Sequence, residues 1–340
     1  MGQLTRFLIR FNAETLMDSP TRSPNATDDT MDPASIHEVT QDCPDWYLWA
    51  MDQPREERRV ISDGCEINYL LWDGPPEPKR RGGLLFVHGG GGHGHWWSFL
   101  APYFTRHYRV AAPDLSGMGD SGRRPEYSAE IRAAELARVI EDAGLGPDVF
   151  VIGHSFGGLT ATRYAELHGD DIAGLIIADS AIRPPEEQAA RKPRRMGGKR
   201  HYPDFATALA RFRLMPEQEC ENAFLVEHIG RHSLMREAEG WTWKFDGNAM
   251  HHRRFTEPYH DYLTRVKCRT ALIYGEKSAL LSHEIADYMR SLMAPGSPVI
   301  AIPEAQHHLT LDQPMAFVAA VRGVLDGWSR GRGPDARSNS

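Results

Sequence analysis

Cysteine is scarce in this chain: four in 340 residues (Cys43, Cys65, Cys220 and Cys268), with no C-x-x-C pair. That scarcity excludes a disulfide framework and a zinc ribbon, and it fits a reducing cytoplasm. Long apolar runs are missing too. No stretch approaches the ~20 apolar residues that a bilayer-spanning helix needs, so no membrane span is expected. Positive charge is in deficit: 39 Lys and Arg against 46 Asp and Glu leave a net charge of −7. The diffuse positive field of a nucleic-acid binder is therefore absent, and nucleic acid is not an expected partner. No internal repeat is evident. With 41% hydrophobic and 25% charged residues, the chain has material for one large globular domain with an embellishment, or at most two domains.

The two ends read differently from the middle. Leu4, Phe7, Leu8 and Phe11 fall at helical spacing with Arg6 and Arg10, which suits either a targeting or peripheral-anchor helix or a simple extension. Residues 19–33 are rich in Ser, Thr, Pro, Asn and Asp, and Met31 offers a second candidate start. Arg6 stands where myristoylation requires Ser or Thr. Residues 1–45 are expected to be disordered or an extension, and 331–340 a disordered tail.

From residue 56 onward, short apolar runs alternate with longer helical patterns, the mark of a mainly parallel sheet covered by helices. Strands are expected at 59–62, 67–72, 83–87, 108–112, 149–152, 174–178, 270–274 and 298–302, the first two forming a hairpin across Asp63-Gly64. Helices are expected near 96–106, 129–143, 155–168, 283–293 and 314–328. The fold class is α/β with eight strands. The alternation stops between 182 and 266, a gap too long for a loop. It opens on Pro184-Pro185 and a basic run (Arg191, Lys192, Arg194, Arg195, Lys199, Arg200), then reads as helices at 204–214 and 217–237 followed by the aromatic segment 240–245. A helical cap inserted at 183–266, over a core made of 46–182 and 267–330, is the expected organisation. The basic run is a solvated loop or an anion contact.

The chemistry concentrates in three segments. The first, VFVIGHSFGG at 149–158, is an apolar strand running into G-x-S-x-G and then a helix. A serine on so sharp a turn needs glycine neighbours, and the turn presents the Ser155 hydroxyl above a helix N-terminus. There the backbone N–H of Phe156 can meet a developing oxyanion. The second, LLFVHGGGGHGHWW at 84–97, is a strand ending in His88-Gly89 and a glycine run, from which the Gly90 N–H is the expected second oxyanion donor. A rival reading takes Gly89, Gly91 and Gly94 as G-x-G-x-x-G, with Asp114 ending the next strand, a dinucleotide site. Two preceding strands count against it, and the serine turn explains the same glycines without a cofactor.

The third segment, IPEAQHHLTLDQP at 302–314, follows the last strand, where a histidine base belongs in the chain order serine, acid, histidine. His307 is the candidate base, with His308 packing or capping locally. Metal is not expected at His307-His308, His251-His252 or His93-Gly94-His95, because adjacent side chains rarely converge on one ion and no carboxylate sits at ligand spacing. Asp114 and Asp120 read as turn caps. Trp96, Trp97, Trp241, Trp243, Phe245 and Met215 are candidates for either core packing or an apolar pocket.

On these residues the chain resembles a capped, single-domain α/β-hydrolase across 56–328. The resemblance is carried by His88-Gly89-Gly90, by Asp114-Leu115-Ser116-Gly117 with Gly119-Asp120-Ser121, by the Ser155 turn and by Gln306-His307. It further resembles a bacterial subgroup sharing H-x-H-W-W and a segment containing R-F-R-L-M-P and G-W-T-W-K-F, with no well-defined substrate. The triad acid departs from the common pattern. The family usually carries aspartate three residues after the glycine ending the next-to-last strand, where this chain has Ser278 after Gly275-Glu276-Lys277. Some members carry the acid one strand earlier, which here is Asp179; Glu276 is the alternative.

The resemblance thus implies a cofactor-independent serine hydrolase acting on an ester, thioester, lactone or amide of a mostly apolar small molecule. Its triad would be Ser155, His307 and Asp179, with an oxyanion hole from Gly90 and Phe156. C–C bond hydrolysis by the same triad, and a binding protein that keeps the turn without turnover, are the alternatives. Oligomeric state is left open by the sequence.

Overall fold

A computed structural model describes residues 38–39, 41–77, 79–190, 199–250 and 257–330. The expectations for the first 37 residues, Arg191 to Arg195 of the basic run, His251-His252 and the tail from 331 lie outside the described residues.

A short helix α1 (Asp45–Met51) precedes the hairpin β1 (Glu56–Ser62) and β2 (Cys65–Trp72), which turns at Asp63-Gly64 with both residues at positive φ. Then come β3 (Gly83–Val87), β4 (Arg109–Pro113), α2 (Ala129–Asp142), β5 (Phe150–His154), α3 (Phe156–His168) and β6 (Gly174–Ala178). The insertion follows, with α4 (Pro185–Ala190), α5 (Phe205–Leu209), α6 (Ala223–His232), β7 (Leu234–Glu237), β8 (Gly240–Trp243) and α7 (Tyr259–Arg265). The chain closes with β9 (Arg269–Gly275), α8 (His283–Leu292), β10 (Val299–Ile302), α9 (Leu309–Asp312) and α10 (Pro314–Arg330).

All eight expected strands form one sheet in the order β1-β2-β4-β3-β5-β6-β9-β10. β2 is antiparallel to both β1 and β4, and every other pairing is parallel. β3, β5 and β6 are buried along their whole length, which is why they read as continuous apolar runs rather than alternating ones. Their side chains divide into two cores. Leu85, Val87, Val151 and Ile177 face α2 and α3, whereas Leu84, Phe86, Ile152 and Ile176 face Trp97, Phe104 and α10.

Three expected helices are altered. The 96–106 helix is two 3-10 turns, Gly94–Trp96 and Ala101–Phe104. Pro102 has no N–H to offer Ser98 and its ring crowds the preceding turn, so an α-helix cannot run through it. The 204–214 helix shortens to α5, and the chain then passes through Met215-Pro216. The 217–237 helix shortens to α6, because residues from Leu234 enter a two-stranded hairpin with the aromatic segment. In that hairpin Leu234 pairs Trp243 and Arg236 pairs Trp241. The alternating W-T-W after Gly240 is its sequence signal. The last helix of the insertion, α7, packs on α3, where Arg163 lies 4.3 Å over the Tyr262 ring. No helix among the described residues is long and apolar enough to cross a membrane.

Candidate active site

β5 ends at His154 and α3 begins at Phe156, so the entire reversal falls on Ser155, which adopts φ 53° and ψ −119°. A side chain in that region of backbone space is strained and must be held by its surroundings. The packing here leaves no alternative: a Cβ on Gly153 would run into the Gly157 carbonyl, and one on Gly157 into the carbonyls of Val87 and His88. The Ser155 N–H donates to Ala178 O at 2.9 Å, tying the turn to β6.

From three strands away, the loop after β10 brings His307 to the turn. Its Nε2 lies 3.0 Å from Ser155 Oγ and its Nδ1 2.8 Å from Asp179 Oδ1. With the aspartate as acceptor, Nδ1 carries the proton and Nε2 faces the serine hydroxyl as acceptor. Both His307 and Asp179 are buried, at 2% and 0% exposure, so the relay is shielded from water. Asp179 itself sits just past β6 at φ 44°, with its N–H donating to Ile273 O at 2.8 Å. Its carboxylate accepts two further bonds, from Gly275 N at 2.8 Å and from Ser278 Oγ at 2.7 Å. Ser278 is held in turn by the Leu280 and Leu281 amides, both 3.2 Å from its oxygen. Glu276 is exposed and accepts from the Glu304 amide at 3.1 Å, so the structure does not bring it to His307.

Two histidines that the sequence did not assign to the relay brace it. His154 donates from Nε2 to His307 O at 2.9 Å, fixing the base loop from below. Burial pushes its imidazole down to about 3, which keeps it neutral. His88 accepts from the Leu115 amide through Nε2 at 2.9 Å and donates from Nδ1 to Gly89 O at 2.7 Å, joining the β3 and β4 loops. Its imidazole is also held down by burial, to about 4. The signal for both was position, a histidine beside each glycine turn, but neither residue type nor spacing identifies a brace.

Gly90 stands at the exposed tip of the β3 loop, while a Cβ on neighbouring Gly89 would approach Ser155 Cβ to 3.3 Å. Phe156, first in α3, has no preceding helical carbonyl for its N–H. The Phe156 amide thus directly follows Ser155, and the Gly90 amide lies in the loop whose Gly89 borders it. Asp114 caps turns as expected: it accepts from Gly94 N at 2.5 Å, Asp120 N at 2.7 Å and Asn68 Nδ2 at 3.2 Å. Burial raises its carboxyl to about 6. Gly94 opens a single 3-10 turn, so the glycine run has no α-helix N-terminus to cradle a pyrophosphate, and the dinucleotide reading loses its geometry. Asp120 pairs with Lys244 at 2.6 Å.

The six aromatic and Met candidates separate. Trp96 lies beside the relay, its ring 6.3 Å from His154 and 5.4 Å from His308, and Phe245 lies against Gly91. Trp97 is core, stacked on Phe86 at 4.8 Å, and Trp241 packs on Phe205 at 5.0 Å. Trp243 is half-buried between Tyr202 and Phe212, and Met215 is 55% exposed. His308 donates its N–H to Gln218 Oε1 at 2.9 Å, and burial holds its imidazole well below the usual range.

Known proteins agree with this architecture. A family profile described as the alpha/beta hydrolase family matches residues 84–321. Esterase Rv0045c of Mycobacterium tuberculosis is 27% identical over 284 residues, covering 80% of this chain and 90% of that protein. Lipase LipV of the same organism is 37% identical over 109 residues, 32% of this chain and 40% of its own length. Among solved structures, E-2-(acetamidomethylene)succinate hydrolase aligns with a TM-score of 0.69 at 20% identity, covering 80% of this chain and all of that one, and so shares the fold. The sheet order, the strained serine turn and a profile match running from β3 into α10 agree, and the chain belongs to the alpha/beta hydrolase family and is a hydrolase.

Proposed function

We propose that the protein is a cofactor-independent carboxylic ester hydrolase that works through Ser155, His307 and Asp179 on a mostly apolar small molecule. The observation that carries this reading is the unbroken relay from Asp179 Oδ1 through His307 to Ser155 Oγ, with links of 2.8 and 3.0 Å. Similarity to an esterase over 80% of the chain supports the choice of ester among acyl substrates.

Ser155 Oγ attacks the ester carbonyl carbon while its proton passes to His307 Nε2, and the carbonyl electron pair moves onto oxygen. The amides of Gly90 and Phe156 receive that oxyanion, and buried Asp179 stabilises the imidazolium. His307 returns the proton to the leaving alkoxide as the C–O bond breaks, which releases alcohol and leaves an acyl-enzyme. Water deprotonated by His307 then attacks the acyl carbon, and collapse returns the proton to Ser155 Oγ and frees the acid. The described residues of 183–266 act as a cap that shapes the acyl pocket, with Trp96 and Phe245 on its walls. The four free cysteines support a reducing compartment.

Turnover of nitrophenyl esters of graded acyl length, run beside fluorophosphonate labelling on wild type and Ser155→Ala, tests the reading. Turnover and labelling that both vanish in the variant are expected. A wild type that is labelled without turnover argues for a narrower chemistry at the same serine, and a wild type that is not labelled overturns the triad.

A further inference from the structure

A second group of histidines, outside the relay, meets where the β3 loop touches the insertion. His95 lies in the 3-10 turn Gly94–Trp96, and His228 and His232 lie one turn apart on α6, both facing that loop. The His95 and His232 ring centroids are 3.8 Å apart, and those of His228 and His232 are 4.4 Å apart. One ligand-capable nitrogen from each of the three lies within 4.8 Å of the others.

We propose that His95, His228 and His232 form a binding site for a divalent transition metal of the zinc class, clamping α6 of the insertion to the loop that carries Gly89 and Gly90. An all-imidazole set suits zinc and its neighbours and disfavours magnesium or calcium, which take oxygen ligands. The Nδ1 of His95 is buried with no hydrogen-bond partner, a polar atom that a ligand would satisfy.

Outer contacts orient the other two rings. His232 donates from Nδ1 to His228 O at 2.9 Å, which leaves the lone pair on Nε2. His228 is held at Nδ1 by Tyr47 Oη at 3.1 Å and at Nε2 by Ser98 Oγ at 2.9 Å and His95 O at 3.2 Å. The Ser98 hydroxyl donates to His95 O at 2.9 Å and the His228 Nε2–H points at the same carbonyl, so Ser98 keeps its acceptor when the Nε2 proton moves to Nδ1 and Nε2 turns to the metal. In the bound form Nδ1–H then donates to Tyr47.

Tetrahedral coordination sets nitrogens about 3.4 Å and ring centroids about 5.2 Å apart, so side-chain rotations must splay the His95 and His232 rings from 3.8 Å and close the His95 and His228 rings from 6.2 Å. A cavity of about 470 Å³, bordered by His95, His232, Arg55, Asp120 and Lys244, gives the ion an entry path and leaves its fourth position to water. The site shares no residue with the relay, so its test is separable from the hydrolase reading.

Chelator-treated full-length protein is titrated with Zn²⁺ and followed by calorimetry and thermal unfolding. Wild type is expected to take up one tight equivalent, with a Tm that rises with free Zn²⁺. Ser155→Ala, and variants of the two other groups with metal-ligating atoms within reach of one another, His307→Gln beside His154 and His308 and Glu237→Gln beside His201 and Glu239, are expected to keep that equivalent, and His95→Gln and His232→Gln to lose it. Tyr47→Phe, which removes only an outer contact, is expected to weaken binding about 10-fold or more. Absence of a tight equivalent in wild type overturns the proposal, as does binding that survives His95→Gln but vanishes with His307→Gln or Glu237→Gln. Should the glutamine variants fail to fold, unchanged affinity in Tyr47→Phe overturns it.

Discussion

The Ser278 hydroxyl donates to Asp179 Oδ1 at 2.7 Å, the same oxygen that faces His307 Nδ1. The position where relatives in the wider family carry an acid therefore keeps a role in orienting a carboxylate that is supplied from the neighbouring strand. Because the Gly275 amide still holds Oδ2, Ser278→Ala is expected to lower kcat about 10-fold with KM little changed, as loss of one orienting bond should. Ser278→Thr, which keeps the hydroxyl, is expected to restore most of it. Steady-state kinetics on one nitrophenyl ester decides; equal loss in both variants would mean that packing, not the hydrogen bond, matters.

Asp179 and Glu276 are expected to behave oppositely. Asp179→Asn removes the charge beside the imidazole and disturbs its tautomer, so a fall of roughly 10³- to 10⁴-fold in kcat/KM is expected. Exposed Glu276→Gln should stay within about 2-fold of wild type. The reverse pattern would move the acid to the loop after β9.

Phe245 lies against Gly91 in the loop that ends at the relay, and a Cβ on Gly91 would sit 3.7 Å from its ring. Truncation by Phe245→Ala opens space at that wall. The optimum of an acyl-length series is expected to move toward longer or bulkier chains, with kcat/KM for short chains falling several-fold. A uniform loss across the series would instead assign Phe245 to loop support.

Acid should destabilise the fold through its buried imidazoles. His88 is held down to about 4 in the folded chain against an ordinary value near 6.5, so between those values the unfolded chain binds the extra proton. Stability from this group is complete above about pH 6.5 and is lost as the pH falls toward 4. Urea unfolding from pH 7 to 4.5 is expected to show that decline, and His88→Gln should reduce its slope by about one proton. An unaltered slope would mean that His88 takes up its proton without unfolding.

The parts of the site legible in the sequence were those whose chemistry is local. Ser155 between Gly153 and Gly157 announces a strained turn because any side chain on the flanking positions meets backbone, and the apolar run before it places that turn at a strand end. His307 followed from chain order. The expected helix over 96–106 and the expected long helix over 217–237 differ from the structure for a shared reason. Apolar periodicity marks a buried face but cannot say whether a proline, or pairing with a later segment, has ended the helix.

Short-range patterns were enough for the class of the fold and the identity of the turn, because strand burial and glycine sterics act over a few residues. Which carboxylate meets His307 depends instead on long-range pairing, since Asp179 and Ser278 are 99 positions apart and join only when β6 and β9 pair in parallel. The meeting of His95 with His228 and His232 is of the same kind: no spacing along the chain encodes it, because it depends on how the insertion folds back onto the β3 loop.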